Sequence, residues 1–267
     1  VGVELAARMQ LGHDDFGRRH AFFFVDVHGN PASVVADRHA VIRMNRHGYG
    51  VGMAGERLVD AIVDDLVDHV VHHRARAARI PGGRVAVNVA NLGRKPYLPL
   101  NHLVGVLLTE VGFLLRGEII WRKAKAAGGS TAWGSWQSAK NPTLRDVHEY
   151  VLVASKASFK RERAGEDTIT KEDFLEATMS VWDILPESAR RVGHPAPFPT
   201  ELPRRLIELY SFDGDLVLDP FLGSGSTAIA AVQTGRHYVG YETDAAYAKL
   251  AQKRIATARA GHRPASS

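Results

Sequence analysis

Residues 217–227 read VLDPFLGSGST, a short apolar run that meets a glycine turn and then a run of small residues. The apolar run is typical of a strand that is buried on both faces of a parallel sheet. Gly223 and Gly225 permit a tight turn, and Ser226 or Thr227 can cap a following helix. Because such a turn brings backbone N–H groups close to a ligand, the segment predicts an α/β fold with a nucleotide-type ligand site.

The next segment completes one β-α-β-α unit of a doubly wound sheet. A second apolar strand is predicted at 237–241, and a helix is predicted from 245 to 258. Glu242 follows the second strand and comes 17 residues after Gly225. A carboxylate in this position can accept both hydroxyls of a ribose. Asp219 closes the first strand, where it is placed to bind a cationic amino group.

The turn by itself does not identify its ligand. It lacks the Lys-Ser/Thr pair of a P-loop, and its spacing is not G-x-G-x-x-G. The alternative interpretation is that the glycines only allow a helix to pack closely against its strand. The spacing of Glu242 favours a ligand site over this alternative.

Composition limits the chemistry around the turn. The chain has 267 residues, enough for one large α/β domain or two small ones. It contains no cysteine, which excludes disulfides, thiolate metal sites and cysteine nucleophiles. The net charge of +5 suits a polyanionic partner such as nucleic acid. No transmembrane or leader-type segment is recognisable, so a cytoplasmic protein is expected.

Periodicity also organises the middle of the chain. Residues 124–142 are rich in Gly, Ser and Trp and are interpreted as an ordered loop, whereas residues 157–172 are charged and are interpreted as a surface insertion. A short helix is predicted at 173–182. Apolar patterns predict further strands at 84–89, 114–121 and 147–154, and further helices at 100–111 and 204–210.

Several motifs in order resemble the amino-group DNA methyltransferases, which modify N4 of cytosine or N6 of adenine. The glycine turn, followed by Gly240-Tyr-Glu-x-Asp244, resembles their S-adenosylmethionine motifs. The segments 118–123, 130–136 and 141–150 resemble their catalytic half, and the region around Trp133 is closer to the N4-cytosine members. The resemblance covers residues 80–258. It implies a Rossmann-like, doubly wound sheet, S-adenosyl-L-methionine as cofactor and double-stranded DNA as partner.

The resemblance also implies which residues form the cofactor pocket. Residues 194–202 resemble the family's segment just before the glycine turn, which is part of that pocket. The implied cofactor-binding residues are Asp219, Pro220, Phe221, Gly223, Gly225, Ser226, Thr227 and Glu242, together with His194, Phe198 and Thr200.

The catalytic strands precede the cofactor unit, which resembles the permuted order of the β group of this family. This order implies an atypical N-terminal segment at 1–79, a catalytic half at 80–156, a short target-recognition insertion at 157–193 and a cofactor-binding half at 194–262. DNA contacts are predicted for Lys123, Trp133, Trp136, Lys160, Arg161 and Arg163. The alternative is that the basic residues are solvated surface charges and the tryptophans are core residues.

Methylation of an exocyclic amine needs a group that accepts hydrogen bonds from the amine and an aromatic ring that stacks on the flipped base. The family carries both in a loop of the form Asp/Asn/Ser-Pro-Pro-aromatic, and this chain has no Pro-Pro pair. The nearest candidate follows the apolar residues 40–42, with Asn45 as acceptor and Tyr49 as stacking ring. Arg46 can only donate. A second candidate, at 94–97, follows a different strand.

Two explanations of the missing loop stay open. The chain is a catalytically impaired, cofactor-binding and DNA-associating pseudoenzyme, or its first 75 residues do not represent the ancestral reading, through a shifted frame or a wrong start. A strand at 21–26 and a helix at 57–71 are predicted in this part. His72 and His73 do not predict a metal site, because adjacent histidines on one helix point apart.

Overall fold

The computed structural model describes residues 82–91, 97–123, 134–161, 164–194, 197–242 and 244–261, together with the backbone of residues 21–27. Within these residues, seven strands form a single sheet. Their bounds are Ala21–Val27 (β1), Arg84–Val89 (β2), Phe113–Arg122 (β3), His148–Lys156 (β4), Val181–Asp183 (β5), Leu216–Asp219 (β6) and His237–Gly240 (β7).

Six helices connect or flank these strands in the described residues. Their bounds are Leu100–Glu110 (α1), Lys171–Ala177 (α2), Ala189–Val192 (α3), Glu201–Tyr210 (α4), Ser226–Gln233 (α5) and Ala245–Gly261 (α6). None of the helices in this part of the chain is long and apolar enough to cross a membrane.

Strand direction gives the sheet two chemically different edges. The order is β5-β3-β4-β2-β1-β6-β7, and among the described strands β4 alone runs against its neighbours. The carboxyl edge is the one at which the six codirectional strands end and β4 begins. The amino edge is the opposite one. The carboxyl edge therefore contains Val27, Val89, Arg122, His148, Asp219 and Gly240, and the amino edge contains Arg84, Phe113, Lys156, Leu216 and His237.

Helices cover both faces of the sheet. All six residues of β2 are buried, and alternate residues of a strand point to opposite faces. Val85, Val87 and Val89 pack against α1, whereas Ala86 belongs to the core beneath α4 and α5. The α/β, doubly wound class predicted from the sequence is confirmed.

Most predicted elements have the observed type, with two informative errors. The predicted helix at 173–182 is wrong in its second half, because Trp182 lies on β5, pairs in register with Trp121 and is 1% exposed. The helix predicted to begin at Arg204 begins at Glu201, since proline is tolerated in a first helical turn and Pro203 lies there. The predicted strand at 21–26 is confirmed as β1, and the helix predicted at 57–71 lies outside the described residues.

Candidate functional site

The glycine turn joins β6 to α5 at the carboxyl edge. Asp219 ends β6, is 1% exposed, and accepts a hydrogen bond at Oδ1 from the backbone N–H of Phe221 at 2.9 Å. This bond starts the turn, in which Pro220 and Phe221 are partly buried. The turn thus begins on a buried carboxylate at the end of a central strand.

Glycine is required at two positions of this turn. Gly223 and Gly225 have φ values of 52° and 85°, in the left-handed region that disfavours other residues. A Cβ on Gly225 would lie 3.1 Å from Ala251 Cβ on α6. Gly225 is also the N-cap of α5, so the prediction that Ser226 or Thr227 caps the helix is wrong. The Ser226 hydroxyl donates instead to the carbonyl of Phe198 at 2.9 Å.

Glu242 links the turn to the end of β7. Its Oε2 accepts from the N–H of Gly223 at 2.8 Å, and its Oε1 accepts from the N–H of Asp244 at 2.9 Å. Each carboxylate oxygen has two acceptor positions, so both oxygens can accept a further hydrogen bond. Glu242 therefore shapes the turn and still has the capacity for a ligand.

The segment before α4 lies against the same turn. The Nε2 of His194 is 3.1 Å from the place where a Cβ on Gly223 would stand. The His194 ring also contacts Tyr247 edge to face, with the centroids 4.5 Å apart. Phe198 is buried, and Thr200 is the N-cap of α4. The structure thus brings the two groups of predicted cofactor residues together.

Thr227 carries a polar atom that no described residue satisfies. The side chain is fully buried, and its Oγ1 has no hydrogen-bond partner within the described residues. Buried hydroxyls are normally hydrogen-bonded, because an unmade bond costs free energy. A ligand in the turn can supply the missing partner.

Strand β1 ends beside the turn. It pairs in parallel with β6, with Phe23 opposite Leu218, and with β2, with Val27 opposite Val89. The chain therefore leaves the sheet at the carboxyl edge directly after Val27, next to the strand that ends in Asp219. Asn45 and Tyr49 lie outside the described residues.

An exposed tryptophan lies on a tight loop between β3 and β4. The Ser135 N–H donates to the Asn141 carbonyl at 2.9 Å, and the Asn141 N–H donates to Ser135 Oγ at 2.8 Å. A Cβ on Gly134 would lie 2.2 Å from the Asn141 carbonyl oxygen, so this loop also requires a glycine. Trp136 is 63% exposed, which excludes a core role for it. Trp133 lies outside the described residues.

A buried polar network at this edge escaped the sequence reasoning. Glu149 is 4% exposed, accepts from Asn88 Nδ2 at 2.7 Å and pairs with the ammonium of Lys123. The sequence feature that could have indicated this network is Asn88, a polar residue inside the apolar strand β2. Lys123, predicted to contact DNA, therefore also has an internal partner, and its DNA contact stays a prediction.

Two tyrosines, Tyr97 and Tyr150, lie near the end of β2. Tyr97 belongs to the second candidate loop, is 52% exposed and accepts a hydrogen bond from Asn91. The phenol oxygen of Tyr150 lies 2.9 Å from His148 Nε2. Burial disfavours the phenolate and raises the pKa of Tyr150 above its ordinary value.

Two further predicted DNA contacts, Lys160 and Arg161, lie at the amino edge. Lys160 and Arg161 follow β4, and Arg161 pairs with Asp215 at 2.7 Å. Arg163 lies outside the described residues. The structure therefore separates Lys160 and Arg161 from Lys123 and Trp136. Within the described residues, no group of three His, Asp or Glu side chains is arranged to hold a metal ion.

Comparison with known proteins identifies the family to which the chain belongs. Residues 69–253 match the N6_N4_Mtase family model, described as DNA methylase, and the chain belongs to this family. The family resemblance inferred from the motifs is thereby confirmed.

The relatives differ from this chain in length. The type II methyltransferase M.MthZI of Methanothermobacter thermautotrophicus is 32% identical over 203 residues, which are 69% of this chain and 57% of that protein. M.MjaI of Methanocaldococcus jannaschii is 29% identical over 192 residues, which are 66% of this chain and 62% of that protein. The chain thus spans less than two thirds of the length of these curated relatives.

Two solved structures share the fold. TTHA0409 of Thermus thermophilus, provisionally described as a DNA modification methylase and solved with S-adenosyl-L-methionine, has a TM-score of 0.63 at 26% identity. The alignment covers 91% of this chain and 89% of that one. PvuII DNA methyltransferase, described as cytosine-N4-specific, has a TM-score of 0.61 at 18% identity and covers 91% and 85% of the two chains. The second likeness concerns the fold alone.

Proposed function

We propose that the protein is a DNA methyltransferase that transfers a methyl group from S-adenosyl-L-methionine to an exocyclic amine of cytosine (N4) or adenine (N6). The observation that carries the proposal is the convergence of Asp219, the glycine turn and Glu242 at one edge, beside the end of β1. The family match, and the fold shared with a structure that holds this cofactor, support it.

The residues of the turn suit this cofactor. Asp219 is a buried carboxylate fit for an ammonium group, and Glu242 is fit for ribose hydroxyls. Gly223 and Gly225 leave room for a ligand against the backbone, and the buried Thr227 hydroxyl needs a polar partner. When bound, the cofactor supplies an electrophilic methyl group on a sulfonium.

The acceptor amine presents a different problem, because its lone pair is delocalised into the base. A residue that accepts hydrogen bonds from the amine frees this lone pair and aligns it with the methyl group. No cysteine nucleophile is needed for an exocyclic nitrogen, and the chain has none. We assign this role to Asn45, with Tyr49 as the aromatic ring that stacks on the flipped base; both residues follow β1 in the chain.

Double-stranded DNA is the proposed partner. Trp136, exposed at the carboxyl edge, suits contact with an unstacked base or its neighbours. Residues 157–193 are proposed to contribute to target recognition. The relatives named as type II methyltransferases favour a role in restriction–modification, which would act in the cytoplasm.

Cofactor binding is tested by calorimetry on two variants. Asp219→Ala and Glu242→Ala each remove a charge-assisted contact, so we expect roughly 10- to 100-fold weaker binding of S-adenosyl-L-methionine. Asp183→Ala is the control, because it removes an exposed carboxylate on β5, away from the turn. Unchanged affinity in both Asp219→Ala and Glu242→Ala would overturn the cofactor assignment.

Catalysis is tested by incubating the protein with radiolabelled cofactor and duplex DNA of varied sequence. We expect label in the DNA, loss of transfer in Asn45→Ala, and weaker DNA binding in Trp136→Ala. Absence of transfer with cofactor binding intact would identify a pseudoenzyme. Transfer to RNA or to single strands alone would overturn the duplex DNA substrate.

A further inference from the structure

A cavity of about 560 Å³ opens at the amino edge of the sheet. Basic and aromatic side chains share its lining, among them Arg84, Arg116, Lys160, Arg161, Phe159 and Tyr210. We propose that this amino-edge pocket binds a nucleotide, with its phosphate among the arginines and its base against the aromatic side chains. This site goes beyond the proposed methyl transfer and does not depend on it.

Two arginines of the pocket have no carboxylate partner among the described residues. Arg84 is 7% exposed and donates to the carbonyls of Gly82 and Phe159, and Arg116 donates to the Phe159 carbonyl at 2.9 Å and to Ser155 Oγ at 3.2 Å. Neither arginine forms an ion pair with a carboxylate in the described part of the chain. Burial, together with the charges of Arg116 and Arg161, lowers the pKa of Arg84 to about 10. Such a cluster favours a bound anion.

Arg161 has a buried donor without an acceptor. Its side chain is 10% exposed and pairs with Asp215 through one terminal nitrogen, at 2.7 Å. Its Nε has no hydrogen-bond partner among the described residues. Because an unsatisfied buried donor costs free energy, an oxyanion beside Arg161 would supply an acceptor that is otherwise missing. Asp167 is the acidic residue of the lining, and the four basic residues outnumber it.

The aromatic side chains distinguish a nucleotide from a simple anion. The Arg116 guanidinium carbon lies 5.6 Å from the ring centroid of Phe159 and 5.7 Å from that of Tyr210. Phe159 and Phe174 also line the pocket and are 53% and 49% exposed, which leaves ring surface for stacking with a base. The volume lies in the range of typical small-molecule sites, about 300–1,000 Å³.

The pocket and the glycine turn lie at opposite edges. Arg84 begins β2 at the amino edge, and the six residues of this strand separate it from the carboxyl edge by about 17 Å at roughly 3.3 Å per residue. A ligand in the amino-edge pocket therefore does not occupy the cofactor site. Lys160 and Arg161, predicted from the sequence to contact phosphate, lie in this pocket and not beside Trp136.

The test is calorimetric titration of the full chain with dAMP in the presence of saturating S-adenosyl-L-methionine, which keeps the proposed cofactor site filled. We expect dAMP to bind, and Arg116→Ala to weaken binding at least tenfold because it removes a cation that faces the phosphate. Arg116 is exposed and has no ion pair among the described residues, so this variant should keep its fold. Arg122→Ala removes an exposed arginine elsewhere, and its affinity should equal that of the wild type. Phe159→Ala should weaken dAMP binding and leave inorganic phosphate binding unchanged.

Further titrations distinguish a free nucleotide from a nucleic acid chain as the ligand, and they separate failure of this proposal from failure of the methyltransferase proposal. A 5′-phosphorylated trinucleotide that binds tenfold more tightly than dAMP, with the same loss in Arg116→Ala, identifies a nucleic acid chain as the source; equal affinity identifies the free nucleotide. No dAMP binding, equal affinity in Arg116→Ala, or phosphate binding as tight as dAMP binding would overturn the proposal. Asp219→Ala should bind dAMP normally at the pocket, so failure of the methyltransferase assignment is seen separately.

Discussion

The two ends of the β6-α5 unit carry opposite charges. At the carboxyl edge, Asp219 and Glu242 accept hydrogen bonds from backbone N–H groups of the turn that leads into α5. At the amino edge, Arg236 follows α5 and donates to the carbonyls of Thr234 and Ser211, just past the ends of two helices. Helix N-termini favour anions and helix C-termini favour cations. Because the β-α units run in one direction, the chain direction itself determines which charge suits each edge.

Glu149 is the buried acceptor of the polar network at the carboxyl edge. Glu149→Ala should lower the free energy of unfolding by about 3 kcal/mol, since it leaves Asn88 and Lys123 without their buried acceptor. Urea denaturation measures this loss. Glu187→Ala, which breaks the ion pair of the exposed Arg191, is the control and should cost less than about 1 kcal/mol. Equal losses would show that Glu149 is not a buried structural charge.

The second prediction compares glycines at the two ends of β6. Gly225→Ala should destabilise the protein by about 2 kcal/mol, because strain in the left-handed region adds to a contact with Ala251. Gly214 also has positive φ, at 67°, but a Cβ there would meet nothing within 4 Å. Gly214→Ala should therefore cost only the backbone strain, about 1 kcal/mol. Thermal unfolding distinguishes the two, and identical melting temperatures would contradict the tight packing of the turn.

The smallest effect concerns pH. Burial raises the pKa of Glu201, but hydrogen bonds from Arg204 and Arg205 outweigh burial and hold the pKa below its usual value. The ionised carboxylate therefore contributes stability above the unfolded-state pKa of about 4.3, and this is lost as the pH falls through the folded pKa. Glu201→Gln should be less stable than the wild type at pH 7, by about 0.5 kcal/mol, and equally stable in strong acid. A difference independent of pH would contradict the ion-pair origin.

Sequence reasoning succeeded where local pattern and final environment agree. Strand β2 has the predicted bounds because its continuous apolar run reflects burial on both faces. The glycine turn is predictable because backbone with positive φ favours glycine, so the turn is visible in the residue types. Trp182 was placed on a helix because nothing local shows that its neighbours pair with β3.

The failures share a physical cause, which is contact between distant parts of the chain. The partners Asn88, Glu149 and Lys123 meet only because β4 runs back between β2 and β3. Arg84 and Arg116 likewise meet at one edge only after the strands are aligned. Single-sequence patterns carry no information on such pairing.

The reverse direction of β4 has a consequence for how the sequence of this protein can evolve. The segment between β3 and β4 begins and ends on adjacent paired strands, and the N–H of Lys123 donates to the carbonyl of Val147 at 2.9 Å, closing its base. Lengthening a flexible loop costs only about 0.6 kcal/mol for each doubling. The segment that presents Trp136 is thus a replaceable module, which can be exchanged or extended while the seven-stranded frame and the glycine turn keep their shape.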